Sequence, residues 1–386
     1  MAAIADSRAD GRDRRPGREV PIEWRARPAR AWVPALLSSR DLEVRAATAR
    51  RTGEALANLR TLATARASVW EPTARLLLRA EGVASSSIEG LRAPAAEVAA
   101  AELDAAAVDD ASAWVADNLA VVTEALGTAT AGPLGVARLH AWHRRLMRHS
   151  RLAPEMVGAF RGAQGWVGGT SPLDAAYVPP PPEHVPALME DLVRFANSRS
   201  PDPITQAAAV HAQFETIHPY GDGNGRIGRV LVAWVLSRRT GIPVPPPVSV
   251  LIAHDVGGYL SGLYQFRTGD IDPFVGWFAG IVTRSADATA AAVASLEALL
   301  EAWRGRLEEL RADALALRLL DLLPAHPVVT STIVAEEAKV TERTARRALS
   351  TLGQHGILSP FQPTPRGPGR PHQWWVATEL LRVVGD

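Results

Sequence analysis

The chain has 386 residues, 47% of them hydrophobic and 22% charged, which is enough for two or three soluble domains with sizeable cores. Its net charge of +1 gives no overall pull toward nucleic acid or acidic membranes, so any basic surface must be local. The absence of cysteine excludes disulfides, thiolate metal sites and a cysteine nucleophile, and agrees with a cytoplasmic location.

The opening MAAIADSRADGRDRRPGREV has no apolar core of the kind a signal peptide needs, and reads as a solvated, disordered tail over 1–20. No apolar run approaches the roughly 20 residues that span a bilayer, so no membrane partner is expected. Leu42, Leu56, Leu59, Leu62 and Leu76 to Leu78 recur at helical spacing and predict helices over 41–80, with Pro72 near a start. An alanine-rich helical block follows over about 94–126, so 21–126 reads as an N-terminal helical region. Gly132 and Pro133 punctuate the chain, and a helix then runs through LGVARLHAWHRRLMRHS. Its His140, His143 and His149 lack the His-x-x-x-His spacing of a metal pair and read as structural or surface residues.

Residues 157–182 differ. Gly158, Gly162, Gly165, Gly168 and Gly169 alternate with Phe160, Trp166 and Tyr177, and four prolines close the stretch, which predicts a short hairpin or flap. Helices resume at about 183–198 and 204–217; on the second, His211 and Glu215 share a face and read as packing or loop support. From Leu296 the series Leu300, Trp303, Leu307, Leu310, Ala314, Leu317 follows a heptad. It predicts a long connecting helix over 286–318, packed on its own domain, with a coiled coil between two copies as the alternative. Residues 319–386 hold two short helices with a turn near Val340–Thr341, then strand-like ILSPF and QWWVAT around an arginine-bearing loop. This resembles a winged helix-turn-helix domain, and Arg343, Arg346, Arg347, Arg366 and Arg370 make DNA an expected partner.

The densest chemistry lies at 218–229, HPYGDGNGRIGR, between two apolar helices. Glycines 221, 223 and 225 permit a tight loop that opens a helix near Asn224, and amides at such a helix start hold phosphate oxygens. Asp222 offers a hard oxygen ligand for Mg²⁺. Arg226 and Arg229 are spaced to share a helix face and can clamp a polyphosphate. His218 can take a proton from a hydroxyl attacking phosphorus. A P-loop is excluded, because Arg229 and Val230 stand where Lys and Ser/Thr are required; a calcium loop fails because Ile227 occupies the turn-glycine position.

The stretch is similar to the Fic family signature H-P-F-x-D/E-G-N-G-R-x-x-R over its full length, departing only at Tyr220 for phenylalanine. GAFRGAQGWVGG…AAYVPPPP and LSGLYQFRTGD resemble the family's target-docking flap and post-motif helix, so the likeness covers roughly 40–285, with the catalytic core at 127–285. The resemblance implies a mostly α fold with a small β-hairpin flap. It implies AMP transfer from ATP to a Ser, Thr or Tyr hydroxyl of a protein docked along the 162–178 flap. By position, His218 would be the base and Asp222 the Mg²⁺ ligand. Gly223, Asn224 and Gly225 would cradle the phosphates, with Arg226 near the β-phosphate and Arg229 on the γ-phosphate. Tyr259 and Tyr264 become candidates for the adenine side, and Trp166 and Tyr177 for flap packing. SSSIEG at 85–90 is similar to the family's inhibitory helix, implying that Ser85, Glu89 and Gly90 form a brake in which Glu89 competes for Arg229. Removal of AMP, a different transferred group, and a nucleotide-sensing DNA-binding regulator remain alternatives.

Overall fold

The computed structural model describes residues 16–40, 42–63, 67–364 and 373–385. Its first elements are two antiparallel strands, β1 (Gly17–Trp24) and β2 (Arg27–Pro34), paired from Gly17↔Pro34 to Trp24↔Arg27. Arg25 and Ala26 between them both have positive φ, 51° and 61°, the mirror-image turn whose twist suits a hairpin. This corrects the expectation of a tail to residue 20 and of helix throughout 21–126. Residues 1–15 of that tail lie outside the described residues.

Helix α1 (Ala46–Ala63) and α2 (Ala67–Ile88) follow, with α2 starting ahead of Pro72 rather than at it. The alanine-rich block divides into α3 (Ala95–Leu103) and α4 (Asp110–Ala129). Asp104 and Asp109 cause the break: their carboxylates accept from the Ala106 and Ser112 amides and cap new turns instead of continuing a helix. Next come α5 (Val136–Leu146), α6 (Val185–Ala196), α7 (Pro203–Ile217), α8 (Asn224–Thr240), α9 (Val248–His254), α10 (Val256–Thr268) and α11 (Asp272–Arg306). Helices α7 and α8 pack on each other at the centre, and α4, α6, α10 and α11 surround them. Trp142, Phe214, Trp234, Phe274 and Phe278 fill the core there. A Cβ on Gly228 would fall 2.4 Å from Glu215 Oε1 and 3.0 Å from His211 Nδ1, so that glycine is what lets α7 and α8 close together.

Helix α11 begins at Asp272 and stops at Arg306, which corrects the connecting helix expected over 286–318. The Leu307 amide turns back onto the Arg304 and Gly305 carbonyls, and Gly305 weakens the helix at that point. Helix α12 (Leu315–Leu322), β3 (Val328–Thr330), α13 (Ser331–Ala338), α14 (Glu342–Gln354), β4 (Ser359–Phe361), β5 (Trp374–Val376) and α15 (Thr378–Gly385) complete the chain. The three strands form an antiparallel sheet in the order β3-β5-β4. Heptad residues Leu296, Leu300, Trp303 and Leu307 are buried within this chain, where the α11 face packs on α12 and α15. These four therefore build a core within the chain, while Leu310, Ala314 and Leu317 are partly buried. The architecture is mostly helical with small antiparallel sheets, as expected.

Candidate active site

The site forms where α7 hands over to α8. Asp202 caps α7 by accepting from the Ile204 and Thr205 amides, and Pro203 takes the first helical position. The helix ends at His218, whose φ of +49° is left-handed, unusual for a side chain of that size. Its amide still reaches the Phe214 carbonyl, 2.9 Å. Gly223, at φ +76°, then sets the chain into α8.

Three groups over-determine that loop. Asn224 Oδ1 accepts from the Tyr220 amide and its Nδ2 donates to the Tyr220 carbonyl, both at 2.9 Å. Arg161 donates from Nε to the His218 carbonyl at 2.9 Å and from its other nitrogens to the Ala163, Pro180 and Ile217 carbonyls. His143 accepts at Nδ1 from the Gly158 amide, 2.8 Å, so its Nε2 carries the proton and donates to the Asp222 carbonyl, 3.0 Å. Burial lowers the His143 pKa to about 4 and keeps the ring neutral. The same ring stacks on Tyr220 with centroids 3.9 Å apart. The Tyr220 hydroxyl, the one departure from the signature, finds His140 Nδ1 at 3.2 Å.

Through these two bonds the Asn224 side chain pins the loop that leads into α8. His143 is structural, as expected, whereas Arg161 and Gly228 carry no expectation from the sequence. A lone arginine in a glycine-rich stretch was the available signal for Arg161.

The α8 N-terminus carries unpaired donors. Among the described residues, Arg226 Nε and Nη1 and Arg229 Nη1 are buried without hydrogen-bond partners. Arg226 sits 5.0 Å from the Trp114 ring centroid, with Nη2 3.7 Å from Met147 Sδ and 3.9 Å from Asp222 Oδ1. Asp222 is half exposed and its Oδ1 accepts from the Gly223 amide at 2.6 Å. Buried guanidinium N–H groups without acceptors are what an anion site with room for phosphate oxygens presents. Among the described residues no cluster of three or more His, Asp or Glu could cage a metal. A single exposed carboxylate beside that anion site fits Mg²⁺, which takes its other ligands from phosphates and water.

Arg229 is occupied. Its Nε donates to Ser85 Oγ at 2.9 Å and its Nη2 to the Ser85 carbonyl at 2.7 Å and to Glu89 Oε1 at 2.8 Å. Ser85 lies on the last turn of α2, and Glu89 follows that helix directly, before Gly90 at φ +80°. The Glu89 carboxylate also overlies the start of α8: a Cβ on Gly225 would meet Glu89 Oε1 at 1.9 Å. Burial disfavours the Glu89 charge, but Arg229, then Arg226, outweigh it and hold this carboxyl below its ordinary value. Burial likewise opposes the Arg229 charge, and Glu89 more than restores it.

His218 is partly buried beside these groups, and burial followed by the Arg161 charge lowers its pKa to about 4. Behind Arg229, His211 Nε2 meets the hydroxyl of the buried Tyr259 at 2.9 Å. Tyr264 is exposed. The flap is a hairpin closed by the Val167↔Tyr177 bridge. Tyr177 donates to the Thr216 carbonyl at 2.6 Å, and Arg267 covers its ring. Trp166 packs edge-on against Trp24, and the Trp32 amide donates to the Val178 carbonyl, so the β1–β2 hairpin buttresses the flap.

Fold and site together define a helical protein in which a glycine-led helix start, a neutral histidine and two buried arginines converge on one loop. Residues 133–236 match the model of the Fic/DOC family. It is 34% identical over 148 residues to Protein adenylyltransferase Fic of Aedes aegypti, a match covering 38% of this chain and 27% of that protein. It is 32% identical over 140 residues to Protein adenylyltransferase fic-1 of Caenorhabditis elegans, covering 36% of this chain and 25% of that one. The match thus spans about a quarter of those relatives. Among solved structures, a Fic family protein from Desulfovibrio desulfuricans G20 superposes with a TM-score of 0.54 at 22% identity, covering 87% of this chain and 97% of that one. A Fic domain containing signaling protein from Bacteroides thetaiotaomicron VPI-5482 gives 0.53 at 20% identity, covering 63% and 97%. At these identities the structural likeness speaks for the fold.

Proposed function

We propose that this chain is a protein adenylyltransferase that moves AMP from ATP to a Ser, Thr or Tyr hydroxyl of a protein and is restrained by Glu89. The observation that carries the reading is the row of buried donors at the α8 start with Glu89 lying across it. In the reaction the target hydroxyl gives its proton to His218 while its oxygen bonds to the α-phosphorus. The bond from that phosphorus to the bridging oxygen breaks, and pyrophosphate leaves. His218 is suited to this because its lowered pKa leaves the ring neutral at physiological pH.

Gly223 and Gly225 bring backbone amides to the phosphates, and Arg226 contributes the two N–H groups that lack acceptors. Arg229 serves the terminal phosphate once Glu89 withdraws. Asp222 would hold Mg²⁺, which supplies neutralisation of phosphate charge when bound. The flap, fixed to α7 by Tyr177, offers the backbone along which a target segment is aligned. The brake is direct competition: with Glu89 on Arg229, the terminal phosphate lacks its clamp. Names of the matched relatives support adenylyl transfer in general.

The test compares ATP labelled at the α-phosphate with ATP labelled at the γ-phosphate, using the Glu89→Gly protein and candidate targets. Label on protein from the α position alone, lost on His218→Ala, is the expected result. Label from the γ position overturns AMP transfer. A second reading concerns the C-terminal unit, read as a winged helix-turn-helix. Arg343, Arg346 and Arg347 of α14 are exposed, which favours duplex DNA as a ligand. Arg366 and Arg370 lie outside the described residues. Duplex affinity that falls steeply with salt is the expected result there, and salt-independent or absent binding overturns it.

A further inference from the structure

Helix α2 touches different parts of the molecule along its length. At its middle, Leu76 is fully buried in one cluster with Leu296, Leu300 and Trp303 of α11 and with Leu319 and Leu380 of the C-terminal unit. One turn later, the buried Arg79 donates from Nη2 to the Ala325 carbonyl at 2.7 Å and from Nε to Glu102 on α3 at 2.5 Å. Ala325 belongs to the turn that leads from α12 into β3. The C-terminal unit therefore grips the middle of α2, where α15 also packs.

The second half lies on the catalytic core. Glu81 accepts from the Ser249 amide at 2.9 Å and from its hydroxyl, at the start of α9. Asn118 on α4 donates to the Gly82 carbonyl at 3.1 Å and to Ser86 Oγ at 3.2 Å. Then Ser85 and Glu89 hold Arg229. From Leu76 to Ile88, one residue before Glu89, an unbroken helix spans about 18 Å, stiff enough to carry a shift along its length. A cavity of about 450 Å³ flanks this stretch, bounded by Val83, Ala84 and Ser87 of α2, Val250 of α9 and Leu381 of α15. It leaves α2 room to move on the side that faces the C-terminal unit.

We propose that the C-terminal unit controls the Glu89 brake through α2. Docked on Leu76 and Arg79, it holds α2 in the register that sets Glu89 on Arg229. Loosening that docking lets α2 shift and frees Arg229. The proposal rests on the brake reading above, and it adds a control point about 18 Å along α2 from the brake.

The test uses the full chain with Arg79→Met, which keeps the aliphatic bulk and removes the guanidinium, and with Leu76→Ala. AMP transfer from α-labelled ATP is measured for each, alone and combined with Glu89→Gly. Each single variant is expected to raise transfer by roughly fivefold or more, the lower end of ordinary coupling between sites. Added to Glu89→Gly, neither should raise it further. Amide exchange over 81–89 should quicken in Arg79→Met while α7 and α8 amides stay protected. Activation by Glu89→Gly without activation or faster exchange in Arg79→Met overturns the coupling and leaves the brake standing. Failure of Glu89→Gly itself to activate removes the brake, and the coupling with it. Activation that adds fully to Glu89→Gly also overturns the coupling.

Discussion

Replacing Asn224 by leucine separates a loop staple from a phosphate ligand. Its amide makes two 2.9 Å bonds to the backbone of Tyr220, a residue only 1% exposed. Leucine fills similar space but leaves one buried N–H and one buried C=O without partners. Each such orphan costs about 1–3 kcal/mol, so the change should remove about 2–6 kcal/mol of stability. That is a large share of a total of roughly 5–15 kcal/mol. Urea unfolding followed by circular dichroism, with the denaturant slope checked for constancy, measures it. Nucleotide affinity should fall in parallel, because the loop that aims the Gly223 and Gly225 amides loosens. Full stability with lost nucleotide binding would refute the staple and place Asn224 on the phosphate.

Two further outcomes concern protons. Transfer by Glu89→Gly should be nearly flat with pH through neutrality and fall only on approaching about 4, where His218 gains its proton and can no longer accept one; an acid limb near the ordinary histidine value would contradict this, and kcat/KM against pH decides. Glu215 carries a buried Oε1 without a partner, and burial, then the Glu89 charge, raises its pKa from 4.5 to about 8. A raised carboxyl contributes stability that is complete below its unfolded pKa and is lost as pH rises through the folded one. Thermal unfolding should therefore show Glu215→Gln gaining over the parent above pH 8 and matching it below 4.5. An equal difference at both ends would contradict the assignment.

The site was legible in the sequence because its chemistry is local: His218, Asp222, Arg226 and Arg229 lie within one short stretch and one helix start. Glu89 was legible only through the resemblance, since nothing in SSSIEG itself points across 140 residues to Arg229. The first hairpin was not legible, because Arg25 and Ala26 take a turn that glycine and asparagine usually mark. The stop at Arg306 was hidden because Leu307 keeps the heptad and stays buried after the helix has ended. Arg161 illustrates the remaining gap. Its four carbonyl partners come from two separate segments, a tertiary fact with no sequence period.

In the proposed reaction one loop both transfers AMP and is held back by Glu89. The direct measurement is protein-bound label from α-labelled ATP and Mg²⁺ for the parent chain, Glu89→Gly, His218→Ala and the double variant. Little label is expected on the parent, strong label with Glu89→Gly, and none once His218→Ala is added. Equal label on the parent and Glu89→Gly, or label that survives loss of His218, would contradict it.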